Sequence, residues 1–63
     1  MNLSAMQCNF IYETILFMIT LDDASEMDIR RTFMNFFNIA PFTDEQIENI
    51  SKAIKNRFYP DEL

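Results

Sequence analysis

Sixty-three residues carrying ten acidic and five basic side chains, a formal charge of −5, exclude a multidomain protein and most enzyme scaffolds. Apolar residues make up 49% and charged residues 24%, a balance that supplies a core and separates the chain from a disordered tail. The acidic excess argues against a general phosphate-binding surface, because nucleic-acid affinity rests largely on Lys and Arg, but it leaves room for a local basic patch.

The first element begins at Ser4. Ser4-Ala5-Met6-Gln7 fits a capping box, with Ser4 as N-cap and Gln7 reaching back. A helix over about 5–20 follows. Its main apolar face holds Cys8, Ile11, Tyr12, Ile15, Met18 and Ile19, with Leu16 at the edge. A second apolar face holds Met6, Phe10, Phe17 and Leu21. Gln7 and Thr14 separate the two faces on one side; Asn9, Glu13 and Thr20 separate them on the other, and Glu13 is the helix's only charge. A helix that is apolar on almost all sides must be covered on almost all sides. Either two flanking helices cover it, or one face packs within the chain and the other meets a second protein.

Phe10–Leu21 is also the segment to test for targeting. It is too short to span a bilayer, and no Lys or Arg precedes it as the basic region of a signal peptide would. An interfacial membrane helix would carry Lys and Arg on its polar face, and this one carries neither. No membrane association is expected.

The second helix is expected over about 24–38, started by Asp23 with Glu26 three residues on and ended by Asn38 in a left-handed C-terminal position. Ile29, Phe33, Phe36, Phe37 and Ala40 share one arc, an aromatic-rich core face. Met27 and Met34 lie on a neighbouring strip beside Arg30, where methionines either complete a core or form an adaptable contact surface.

The third helix, over about 44–58, is the most clearly marked. Thr43-Asp44-Glu45-Gln46 is a capping box, and Phe42 and Ile47 stand at the positions of a hydrophobic staple. Acidic residues load its start, while Lys52, Lys55 and Arg57 load its end, complementing the helix dipole. Ile47, Ile50, Ile54 and Phe58 make one narrow apolar stripe. Pro60 stops the helix, and Pro60-Asp61-Glu62-Leu63 reads as a frayed polar end. No segment alternates as a strand would, so the fold class is all-α: a small three-helix bundle forming a single domain over 1–63, with homodimerisation as one way of completing it.

Chemistry finds little support. With no histidine, the commonest general base and metal ligand are missing, and Cys8 and the hydroxyl side chains lack the usual activating partner. With no glycine, a phosphate-cradling loop cannot form. A calcium loop starting at Asp23 would place Asp28 and Met34 where a glycine and an acid are required. The carboxylate pairs Asp22-Asp23 and Asp44-Glu45 are explained by capping. Cys8, the only cysteine, cannot form an internal disulfide and falls on an apolar face as an inert thiol, which points to the reducing cytoplasm. No enzyme activity, cofactor, metal or small-molecule substrate is therefore expected.

The sequence instead predicts a small acidic interaction module, of adaptor or inhibitor type, that binds itself or another protein through Met6, Phe10, Phe17 and Leu21, with Met27 and Met34 contributing. The alternative is a helix-turn-helix-like nucleic-acid regulator using the second and third helices, with Arg30, Arg31, Lys52, Lys55 and Arg57 as its basic set. Asp44, Glu45 and Glu48 count against it, because they occupy the part of the third helix that would face the bases.

Overall fold

Ser4, Ser25 and Thr43 each stop the chain in an extended conformation and turn a side-chain oxygen onto the first turn of a helix. In the computed structural model, which describes residues 3–62, they open α1 (Ala5–Ile19), α2 (Glu26–Phe37) and α3 (Asp44–Phe58). A short 3-10 turn, Pro60–Glu62, follows. Among the described residues the fold is all-helical, with no strand. Among the described residues, no helix is long and apolar enough to cross a membrane.

Both predicted capping boxes form completely. Ser4 accepts from the Gln7 N–H at 3.2 Å while Gln7 accepts from the Ser4 N–H at 2.9 Å. Thr43 and Gln46 repeat the exchange at 3.1 and 3.0 Å. The start of α2 differs from expectation. Ser25, not Asp23, is its N-cap and accepts from the Asp28 N–H at 3.1 Å. Asp22 and Asp23 lie in the preceding turn, which the Ala24 N–H closes onto the Leu21 carbonyl. Ser25 prevails because it stands three residues before Asp28 in a chain already turned at Ala24. Asn38 is right-handed (φ −79°, ψ −20°), and no described residue has positive φ. The Ile39 and Ala40 N–H groups both return to the Phe36 carbonyl, so the helix unwinds through a right-handed turn that needs no left-handed residue. Pro60–Glu62, read from the sequence as a frayed polar end, takes up a 3-10 turn; Leu63 lies outside the described residues.

The core is five isoleucines: Ile15 and Ile19 from α1, Ile29 from α2, Ile50 and Ile54 from α3. Ile11, Tyr12, Leu16, Met18, Phe33, Phe42, Ala53 and Phe58 pack around them. Branched side chains with restricted rotamers suit such a centre, since they lose little freedom on burial. The aromatic arc of α2 is only partly inward. Phe33 packs edge-on to Phe37 (centroids 5.7 Å apart) and against Phe42 (5.6 Å), yet Phe37 itself remains exposed.

α1 is the element on which the other two converge. The Leu3 N–H donates to the Ile39 carbonyl at 2.9 Å, so the start of α1 meets the end of α2 and the two run antiparallel. Gln46 reaches Asn9, Asn49 reaches Tyr12 and Arg57 reaches Ile19, so α3 runs parallel to α1.

Candidate functional site

Helical periodicity fixes which side of α1 its neighbours can cover. At about 100° per residue, Cys8, Ile15 and Ile19 point one way, and Met6, Phe10 and Phe17 point roughly opposite. α3 takes the flank of Asn9 and Tyr12, where Asn49 Nδ2 donates to the Tyr12 hydroxyl at 2.9 Å. α2 takes the flank of Gln7 and Ile11. Among the described residues, none covers the remaining face. Met6 is 83% exposed, Phe10 73%, Phe17 62% and Leu21 36%.

The two hydroxyls along this stripe are already occupied. The Thr14 hydroxyl donates to the Phe10 carbonyl at 2.9 Å, and the Thr20 hydroxyl donates to the Phe17 carbonyl at 2.7 Å. With these donors turned back onto the helix, the surface is left largely to carbon, and Glu13 is its one charge. Glu13 has no ion-pair partner among the described residues. Leu21 lies just beyond α1, where its N–H bonds to the Met18 carbonyl at 3.1 Å in a tightened last turn. It is the least exposed of the four.

The structure extends the stripe with residues the helical wheels did not assign to it. Leu3, Phe36 and Ile39 join Met6, Gln7, Phe10 and Ile11 around an open groove of about 510 Å³ between the start of α1 and the end of α2. Phe36 had been placed in the core arc, but it is only half-buried. The juxtaposition depends on the antiparallel pairing of α1 and α2, for which no local sequence pattern gives a signal.

Met27 and Met34 form a separate surface. They lie on the side of α2 away from Ile29 and are 68% and 60% exposed, so they lie outside the core. With Glu26, Arg30 and Arg31 they line a shallow hollow of about 440 Å³. Arg30 pairs with Glu26 at 2.8 Å, and the Tyr59 hydroxyl donates to the other oxygen of Glu26 at 2.7 Å. The Tyr59 and Arg30 hydrogen bonds together hold the Glu26 carboxyl below its usual value.

The basic residues are mostly engaged within the chain. The Arg57 guanidinium donates to the carbonyls of Ile19, Ala24 (3.3 Å) and Asp22 (3.5 Å) and lies 4.8 Å from the Phe58 ring centre. It thereby caps the end of α1 and ties down the joint leading to α2, a role that its position near the end of α3 did not disclose. Lys52 pairs with Glu48 at 3.1 Å. Arg31 and Lys55, on different helices, have no ion-pair partner among the described residues. The first turn of α3 presents Asp44 and Glu45.

Cys8 is sealed in the interior at 2% exposure, with its thiol 3.8 Å from Gln46 Oε1, and burial pushes its pKa up. A thiol so placed is neither accessible nor activated. Among the described residues, no group of three or more His, Cys, Asp or Glu side chains is arranged to hold a metal ion. No protein-family model, curated protein or solved structure matches the chain.

Proposed function

We propose that the chain is a small cytoplasmic interaction module, of adaptor or inhibitor type, that works by docking the outer face of α1 onto protein and performs no catalysis. The observation that carries this reading is the uncovered line of Met6, Phe10, Phe17 and Leu21, directly behind a completed isoleucine core. Large apolar side chains in a nearly charge-free setting supply the water-excluded centre of an interface. The exposed methionines of α2 add an adaptable margin. Acidic side chains at the starts of α2 and α3 bias a partner towards a basic rim. The single cysteine, buried and without a partner cysteine in the sequence, is compatible with a reducing compartment.

The test is the hydrodynamic size of the tagged chain in extracts of cells that express it. The wild type should migrate in an assembly larger than the free 7.5 kDa chain, and Phe17→Glu should migrate alone. Wild type running as the free chain, or Phe17→Glu still assembled, would overturn the proposal. Retention on duplex DNA that is lost in Lys52→Glu or Lys55→Glu would replace it with the nucleic-acid reading.

A further inference from the structure

We infer that the outer face of α1 is covered by a second copy of this chain, running antiparallel about a two-fold axis that passes between residues 13 and 14. This rests on the reading of that face as an interaction surface and specifies its occupant. A two-fold interface must be self-complementary: if residue i meets residue j of the partner, residue j must meet residue i. The stripe meets this condition. Reflected about the point between Glu13 and Thr14, Phe10 falls on Phe17 and Met6 falls on Leu21. The outer positions are aliphatic or thioether, the inner positions are aromatic, and the polar pair sits at the centre. Phe10 and Phe17 are two helical turns apart, about 10.5 Å. An antiparallel copy therefore sets each Phe against the partner's other Phe and allows the offset or edge-on ring contacts that aromatics favour.

Two further observations support a second copy. The groove beside Met6 and Phe10, about 510 Å³ and walled by Phe36 and Ile39, lies opposite the partner's Leu21 and Phe17 in this register and gives them a seat. The chain also exposes 4678 Å² against ~4,200 Å² expected of a compact monomer of its mass. The four stripe residues present roughly 500 Å² per copy, judged from their exposure and the area such side chains bury. Two copies would bury at most about 1,000 Å² through these residues, the lower edge for a specific interface, so the dimer is a reversible one. Glu13 sets a limit on its strength, since the symmetry brings both carboxylates to the same flank near the axis.

Light scattering of the full chain from micromolar to millimolar concentration should show the mass rising from 7.5 kDa to twice that value. Phe17→Glu, or Phe10→Glu should the first fail to keep its helical circular dichroism, should remain monomeric throughout. A wild type that stays monomeric at every concentration overturns the second copy, whereas the extract experiment above separately decides whether the face binds protein at all. Oxidative cross-linking in a Cys8→Ala background reads the register. Met6→Cys mixed with Leu21→Cys should cross-link, and Met6→Cys alone should not, because the two sites at residue 6 lie about 22 Å apart. Cross-linking of Met6→Cys alone would overturn the antiparallel arrangement.

Discussion

Arg57 illustrates how one side chain can stand in for several missing local devices. The chain has no glycine with which to close α1 in a left-handed cap. The carbonyls at the end of α1 and in its joint to α2 are met instead by a guanidinium from the last turn of α3. A planar fork with five donors can serve several acceptors at once, and an ammonium cannot reproduce that geometry. Arg57→Ala should lower stability by about 1.5–3 kcal/mol, and Arg57→Lys should recover only part of the loss, as read by urea denaturation. Glu26 makes a second cross-link, receiving the Tyr59 hydroxyl and Arg30. Its folded pKa is depressed, so its contribution is complete above the ordinary carboxylate value of 4.5 and is lost as the pH falls through the lowered one. Glu26→Gln should remove that component from the acid limb of the stability curve.

At the scale of the element, α3 is specified most fully and α1 most ambiguously. Both halves of the Thr43 box form, acids sit in the first turn of α3 and bases in its last. Thr43→Ala should cost about 1 kcal/mol, seen as a lowered denaturation midpoint with an unchanged slope. Ser25→Ala should cost a comparable amount, whereas Asp23→Ala should cost little, because Ser25 and not Asp23 holds the start of α2. The sequence leaves the start of α2 ambiguous because Asp23/Glu26 and Ser25/Asp28 have the same three-residue spacing. Only the turn closed by Ala24 and clamped by Arg57 decides between them. α1 carries two apolar faces, and its wheel separates them without ranking them. The ranking comes from its neighbours: Asn49 and Gln46 pull α3 to one flank, the Leu3–Ile39 backbone bond holds α2 on the other, and Phe10 and Phe17 remain outside.

Across the whole molecule, the three helices spread into a thin body. Its principal extents are 38 × 22 × 15 Å, and its radius of gyration is 11.7 Å, against ~10.6 Å expected of a compact 63-residue domain. So small a chain has enough material to close one core but not to wrap a helix that is apolar on both sides. The two faces should therefore respond differently to substitution. Ile50→Ala in the closed core should cost 2–5 kcal/mol, by the usual range for deleting a buried isoleucine. Phe17→Glu on the open face should leave the monomer's stability within about 0.5 kcal/mol while removing its associations. Comparing chemical denaturation with hydrodynamic size for the two variants separates core from interface directly.

Helix number, helix class and two of the three N-caps were legible in the sequence. Each is set by residues within one or two turns of one another, through the 3.6-residue period and the hydrogen-bonding reach of Ser, Thr and Gln. The candidate face was legible as a line of residues, since Met6, Phe10, Phe17 and Leu21 share one side by periodicity alone. Tertiary structure decided which face of α1 stays open, that Met27 and Met34 lie outside the core, that Phe36 and Ile39 wall a groove beside Met6, and that Arg57 serves the end of α1 as well as its own helix. These depend on contacts between residues more than 20 positions apart, whose partners are chosen by how three helices pack together and not by any pattern within one of them.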